Sequence, residues 1–272
     1  MLERPSRDDG GSTGSLSRAE AKVIARDRLA IISEKSRSRV LVREDLVPLS
    51  SSLQRALGLE GLSRGSTLLI EGDRGIGATS FALALLAQAT ADKLWCAVVG
   101  PPDLGIVAST ELGVDLDHLV VVTTPRVRVA TVLGALVDGC DVLLLRLPVA
   151  LTRAEMLRLS ARVRQRRVLL FLLRDAQSHA AWAEAPDITT VVRHGEFFGI
   201  ADGSGRIAAR RILLETFHRR GGVVAPVALW LPAFDGEVLA DEGAAAWRGD
   251  GGDTAWPSAG KGPGVALRAV VR

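Results

Sequence analysis

A short glycine-rich loop between an apolar strand and an apolar helix is the feature that most constrains the fold of this chain. Thr67–Ile70 has the composition of a buried strand, and a largely apolar helix is expected from Thr79 onward. A strand, a glycine turn and a helix N-terminus in this order are the layout of a phosphate-binding loop, because glycines let backbone N–H groups point at an anion. The loop consists of Gly72, Asp73, Arg74, Gly75, Ile76, Gly77, Ala78, Thr79 and Ser80.

The loop lacks one residue of the phosphate-loop pattern. That pattern is G-x-x-x-x-G-K-[ST], and Ala78 stands where the lysine belongs. The lysine reaches the β- and γ-phosphates, so its loss should weaken nucleotide binding and reduce hydrolysis further. Two interpretations stay open: a phosphate loop that has lost its activity, or a glycine turn that only lets a strand enter a helix closely.

The amino-acid composition excludes several classes of function for this chain. The 272 residues are 47% hydrophobic and 24% charged, which suits one large globular domain with extensions. No run approaches the roughly 20 apolar residues of a membrane span, and the polar N-terminus has no secretory signal. Cys96 and Cys140 lie in apolar contexts and indicate reduced thiols in the cytoplasm. An aromatic content of 4% argues against a platform that stacks nucleic-acid bases.

Strands and helices alternate from Gly65 onward, which predicts an α/β fold with a mostly parallel central sheet flanked by helices. After the loop, the predicted strands are Leu94–Val99, Leu119–Val122, Val142–Leu145 and Val168–Leu173, and the predicted helices are Val127–Val137 and Thr152–Arg164. Beyond Asp175, short strands predict an antiparallel extension of the same sheet. They are Ile188–Val192, Glu196–Ile200, Arg206–Phe217 and Val223–Leu231.

Four regions are predicted along the chain. They are a disordered N-terminus (1–16), a helix and linker (17–45), a core domain (46–235) and a flexible Gly/Asp-rich tail (236–272). The helix predicted at Ser17–Lys35 either exposes a charged face or docks on a partner. Val40–Ser52 is interpreted as a linker, and Ser51–Leu57 as a helical turn that Gly58 ends.

Two segments near the loop resemble RecA recombinases. Leu57–Gly65 (LGLEGLSRG) resembles the RecA segment that enters the loop strand. Glu111–Leu119 (ELGVDLDHL) resembles the RecA segment between the second helix and the third strand. With the loop, they make the chain similar to a RecA-like core over about 46–231, which implies a P-loop ATPase fold.

The resemblance also shows what is missing for ATP hydrolysis. The family's metal-binding aspartate falls on Arg146, a cation that would repel Mg²⁺. Its water-activating glutamate falls on Pro102, with Asp103 as an adjacent substitute. Together with the missing lysine, these departures imply that phosphoryl transfer is lost. We therefore expect no catalytic residue, no metal and no required cofactor, with at most weak ATP binding.

A RecA-like chain with such a site resembles the ImuA-type accessory proteins of a mutasome, including the actinobacterial branch. That resemblance implies a non-catalytic scaffold in damage-induced (SOS), error-prone translesion DNA synthesis. The expected partners are a Y-family-like adaptor, an error-prone polymerase and RecA. Two alternatives stay open. One is an ATP- and DNA-binding recombinase whose missing cation comes from Arg74 or from Arg219 of a neighbouring subunit; the other is a damage-induced regulator of cell division.

Arginines supply the candidate contact residues. Arg158, Arg162 and Arg166 are predicted on one helix face, either to hold DNA phosphates or to form an ordinary exposed surface. The RecA resemblance implies that Arg219 and Arg220 are the remnant of a basic pair that reaches a neighbouring subunit's nucleotide. Any DNA contact is expected to be weak. The four histidines have no metal-ligand spacing.

Overall fold

A ten-stranded mixed sheet forms the centre of the protein. The structure is a computed structural model, and it describes residues 45–100, 104–123, 129–201, 204–233 and 236–241. The strands in chain order are β1 (Leu46–Pro48), β2 (Gly61–Ser63), β3 (Thr67–Glu71), β4 (Cys96–Val99), β5 (Leu119–Val122), β6 (Val142–Arg146), β7 (Leu169–Arg174), β8 (Ile188–Ala201), β9 (Ser204–His218), β10 (Gly222–Val223), β11 (Val227–Trp230) and β12 (Leu239–Ala240).

The helices connect and cover these strands. They are α1 (Ser51–Leu57), α2 (Ala78–Ala91), α3 (Ile106–Glu111), α4 (Val129–Gly139) and α5 (Arg153–Arg166), with a 3-10 turn at Leu116–His118. Gly58 ends α1 in the left-handed conformation, as the sequence predicts. Thr152 and Glu155 form a capping box at the start of α5, which satisfies backbone N–H groups there.

The strand order of the large sheet is β12-β11-β9-β8-β3-β7-β6-β4-β5, and β10 pairs with β9. From β8 to β5 all neighbours run parallel. On the other side of β8, the pairs with β9, β11 and β12 are antiparallel. The α/β class, the helices around the sheet and the antiparallel extension are therefore confirmed.

Helices cover both faces of the sheet, and alternate strand residues supply the two cores. One face packs against α1 and α2, with Leu57 and Phe81 fully buried. The other face packs against α4 and α5 through Leu133 and Val163. The central strands are buried on both sides, which explains their continuous runs of Val and Leu.

Four details differ from the predictions. The strand predicted at Val223–Leu231 forms two separate strands, β10 and β11, because residues 224–226 belong to neither. The strands predicted at Ile188–Val192 and Glu196–Ile200 form one strand, β8, with a bulge between Val192 and His194. β8 pairs in parallel with β3, so the antiparallel part begins one strand later than predicted. Residues 46–48 of the predicted linker form β1, which pairs with β2.

Some of the residues named in the predictions fall outside the described part of the chain. The predicted helix at Ser17–Lys35, Pro102 and Asp103 lie outside the described residues. Beyond Asp235, β12 pairs with β11, and Asp241 forms an ion pair with the buried Arg211. The four predicted regions otherwise stay a prediction.

Two further properties concern the described part of the chain. None of its helices is both long enough and apolar enough to cross a membrane. Cys96 is a buried free thiol, and burial raises its pKa to about 12. Cys140 is half-buried and also free.

Candidate functional site: the glycine loop and its arginines

The glycine loop lies at the carboxyl end of β3, beside the end of β7. The N–H of Gly72 donates to the carbonyl oxygen of Arg174 at 3.2 Å, which joins the start of the loop to the neighbouring strand. From β3 the chain crosses over β7 and β6 to reach β4, whereas from β7 it crosses β3 to reach β8. The crevice between β3 and β7 is therefore the point where the chain changes direction across the sheet. Open α/β sheets bind their ligands at such points.

The loop and its neighbours line a cavity of about 160 Å³ that is open to solvent. Most of its lining residues belong to the loop, and Arg146 at the end of β6 and Arg210 within β9 also line it. Asp73 and Asp175 also line it. Three arginines thus meet two carboxylates in one small space.

The backbone of the loop is held in a form that suits glycine. Gly77 has φ +116°, and a Cβ built there would lie 2.7 Å from Cγ2 of Ile212. Gly77 immediately precedes α2, and no side chain caps this helix end. The first N–H groups of α2 therefore have no partner within the helix and are available to an anion.

Arg146 occupies the position where the RecA resemblance places a metal-binding acid. Its guanidinium donates to Oδ1 of Asp175 at 3.1 Å, and its side chain is only 15% exposed. Nε of Arg74 lies 3.5 Å from Oδ2 of the same aspartate, but the Arg74 side chain is 79% exposed. Asp175 is thus shared by two cations, which leaves it poorly suited to bind Mg²⁺.

Arg210, on β9, reaches the loop from the antiparallel part of the sheet. Its guanidinium donates to Oγ of Ser80 at 2.8 Å and lies 4.5 Å from the centroid of the Phe197 ring. Its Nε is buried and has no hydrogen-bond partner within the described residues. Burial lowers the pKa of the Arg210 guanidinium, because removal from water disfavours the charged form.

The candidate arginines on α5 have a different environment. Arg162 and Arg166 both bind the carboxylate of Asp138 at the end of α4, with the Arg166 contact at 3.1 Å. These partners lower the pKa of Asp138, mainly through the hydrogen bond from Arg162. Arg158 is exposed and lines a groove between α4 and α5. The structure therefore brings the three predicted residues onto one helix, with two of them neutralised by a neighbouring acid.

Arg219 and Arg220 lie at the opposite end of the sheet from the loop. Arg219 forms an ion pair with Asp187 and donates to the carbonyl oxygen of Ala185. Asp187 in turn accepts from the N–H of Thr67, at the start of β3. Because β3 is five residues long, roughly 16 Å of strand separates these arginines from the loop in the same chain. Their predicted contact with a neighbouring subunit stays a prediction.

Sequence reasoning missed the contact of Arg210 with the loop. It named Arg74 and Arg219 as replacements for the lysine and did not single out Arg210. Arg210 and Ser80 are 130 residues apart, so only the pairing of β9 with β8 brings them together. A weak signal was present, since Arg210 and Arg211 together interrupt an apolar run in a predicted strand.

Among the described residues, no group of three or more His, Cys, Asp or Glu side chains could hold a metal ion. What the loop region offers instead is backbone N–H groups and arginine side chains. Both are donors and both suit anions.

Two comparisons relate the chain to known proteins. The model of a family described as "MT3502 N-terminal domain" matches residues 38–182. The chain is also 33% identical over 149 residues to "Uncharacterized protein Rv3395c" of Mycobacterium tuberculosis, which covers 54% of this chain and 67% of that protein. The family match contains the glycine loop, Arg146 and Asp175 but ends before β8, so Arg210 lies outside it.

Proposed function

The chain belongs to the MT3502 N-terminal domain family, and we propose that it is a non-hydrolysing, RecA-like scaffold of the cytoplasm that acts in damage-induced, error-prone translesion DNA synthesis. In this role it binds other proteins, namely a Y-family-like polymerase adaptor and an error-prone polymerase. The proposal combines the RecA and ImuA-type resemblance of the sequence with the geometry of the loop.

One observation carries the non-hydrolysing part of the proposal. Arg146 lies at the carboxyl end of β6, inside the loop cavity, and holds Asp175. Phosphoryl transfer in P-loop proteins needs an acid at the Mg²⁺ site and a lysine at the phosphates. Here the first position is a cation and the second is the buried Ala78. A site with both changes lacks the metal and the charge that stabilise the transition state.

The RecA-like part of the proposal is supported by the layout of the sheet. The loop strand β3 lies inside the sheet between β7 and β8, and an antiparallel group of strands follows the parallel ones. This agrees with the parallel core and antiparallel extension that the sequence predicts.

A surface for protein contacts is available at the β5 end of the sheet. β5 is the last strand in the order, and its outer edge pairs with no other strand in the described part of the chain. Near the start of β5, the side chain of Trp95 is 47% exposed and its ring lies 5.4 Å from that of His118. Open strand edges and exposed apolar side chains are both features of protein-binding surfaces.

An ATPase assay tests the non-hydrolysing part. The purified chain, with and without single-stranded DNA, should release no phosphate from Mg-ATP above the level of a protein-free control. An active RecA protein run in parallel provides the positive control. Hydrolysis at a rate comparable to that of RecA would contradict the proposal and favour the recombinase alternative.

Binding measurements test the scaffold part. The chain should form a complex with the adaptor or the polymerase of its own organism in gel filtration, and this complex should not require ATP. A version that ends at residue 241 is the appropriate truncation to test the tail, because a cut at Asp235 would remove β12 and the Asp241 partner of Arg211. Binding to division proteins, with none to the polymerase components, would instead favour the regulator of cell division.

A further inference from the structure

The loop cavity has the features of an anion-binding site. In the usual phosphate loop the positive charge comes from a lysine of the loop, whereas here it comes from an arginine of β9. We propose that this cavity binds a metal-free diphosphate group, with Arg210 supplying the cation that the missing lysine would provide. The inference goes beyond the proposed function, since a scaffold does not need a ligand here.

The position of Arg210 is the first argument. The donation from its guanidinium to Ser80 places this group beside the first turn of α2. A Cβ built at Gly77 would lie 3.4 Å from Cδ and 3.6 Å from a terminal nitrogen of Arg210, so this side chain runs alongside the loop. Phe197 packs against the guanidinium and fixes its direction. The cation is therefore held in place before any ligand arrives.

The second argument is that the hydrogen-bonding capacity of Arg210 is incompletely used. A guanidinium has five N–H donors, and the buried Nε of Arg210 has no partner in the described part of the chain. The structure bears the cost of burying this cation, which an anion in the cavity would offset.

The charge of the cavity wall is the third argument. Arg74, Arg146 and Arg210 face Asp73 and Asp175 around the same space, so three positive charges and two negative ones give a formal charge of +1. The N–H groups at the start of α2 add further positive potential. An anion is attracted by this wall, whereas Mg²⁺ is repelled. A phosphate group that carries Mg²⁺ should therefore bind less well than the free anion, which is the reverse of a P-loop ATPase.

The size of the cavity limits the ligand. At about 160 Å³ it is smaller than the roughly 300–1,000 Å³ of pockets for drug-sized molecules. One or two phosphate groups fit this volume better than a whole nucleotide does. Free pyrophosphate and the phosphates of a nucleotide share this chemistry, and the experiment separates them.

Calorimetric titration of the full chain with sodium pyrophosphate in EDTA tests the proposal. Saturable binding is expected, and replacing the EDTA with Mg²⁺ equimolar to the pyrophosphate should weaken it. R210M should weaken it about 10- to 100-fold, because a charge-assisted hydrogen bond is lost. R210K should retain part of the affinity. R162M is the matched control, since it removes an arginine from the α5 face, and it should leave binding unchanged.

A second titration with ATP in EDTA identifies the source of the phosphates. If ATP binds with an affinity within about threefold of that of pyrophosphate, the site recognises the phosphates alone. If ATP binds about tenfold more tightly or better, which corresponds to about 1.4 kcal/mol, the site also recognises the nucleoside. Either result supports an anion site.

Three results would overturn the proposal: no saturable binding of pyrophosphate or ATP, binding that Mg²⁺ strengthens, or an equal loss in folded R210M and R162M. Far-UV circular dichroism establishes that each variant is folded. The outcome is separable from that of the proposed function, because failure to bind an anion leaves the ATPase and partner measurements unaffected.

Discussion

The arginines of the loop cavity and those of α5 differ in how their charges are balanced. On α5, Arg162 and Arg166 share Asp138, and Arg164 binds Glu184. In the cavity, Asp175 forms ion pairs with both Arg74 and Arg146, while Arg210 contacts the hydroxyl of Ser80 and the ring of Phe197.

The difference shows that the number of arginines is a poor guide to a binding site. The α5 arginines are about half exposed, and their carboxylate partners already use much of their charge. The cavity group includes the exposed Arg74, but it also has a buried donor on Arg210 with no hydrogen-bond partner among the described residues. Desolvated charges interact more strongly than exposed ones, so an anion should prefer the cavity.

The largest expected effect comes from a side chain placed between the loop and Arg210. G77V should lower the free energy of unfolding by about 3 kcal/mol, because it combines a positive φ with a close approach to Ile212. G139V, at the end of α4 beside Asp138, is the matched control, since a Cβ there meets nothing within 4 Å. Urea unfolding measures both. Equal losses would show that the loop is no more constrained than the α5 side.

R146D tests the sign of the Mg²⁺ effect. It removes a cation from the cavity and adds an acid near Asp175, so pyrophosphate binding in EDTA should fall about tenfold or more. Mg²⁺ should then strengthen binding in R146D although it weakens binding in the unmodified chain. R166D on α5 is the control and should leave the Mg²⁺ effect unchanged. An unaltered Mg²⁺ effect in R146D would mean that Arg146 does not face the bound anion.

D175N should change the affinity in the opposite direction. Removing the carboxylate between Arg74 and Arg146 raises the formal charge of the cavity wall, and we expect about threefold to tenfold tighter pyrophosphate binding. The matched substitution D138N frees two arginines on α5 and should leave the affinity unchanged. If D138N created the stronger pyrophosphate site, the α5 face would be the better anion surface and the comparison would be reversed.

The smallest expected effect is the pH dependence of the α5 face. The pKa of Asp138 is lowered in the folded chain, so its stabilising contribution is present above its unfolded pKa of about 3.9 and is lost as the pH falls through the folded value. D138N should therefore be less stable than the unmodified chain at pH 7, with the difference shrinking below about pH 4. Urea unfolding between pH 7 and pH 3 measures this. A difference that stays constant over the whole range would contradict the assignment.

Most helices and parallel strands could be predicted from local sequence, because buried strands and amphipathic helices have distinct apolar patterns. The end of α1 at Gly58 and the strand before the loop are examples. The pairing of β8 could not be predicted in the same way. Ile188–Val192 is apolar enough for either kind of neighbour, and β3, with which it pairs in parallel, lies about 120 residues earlier in the chain.

The candidate site also has features that the sequence predicts and features that only the fold determines. The order of residues alone establishes the glycine loop, the absence of its lysine and the arginine at the end of β6, because these are properties of short segments. The position of Arg210 depends on the fold, since β9 must lie beside β8 before its side chain can reach Ser80. The sequence contains many arginines and does not show which of them bind an anion. Tertiary packing decides this, because it places some arginines beside carboxylates and places Arg210 at the cavity beside Ser80.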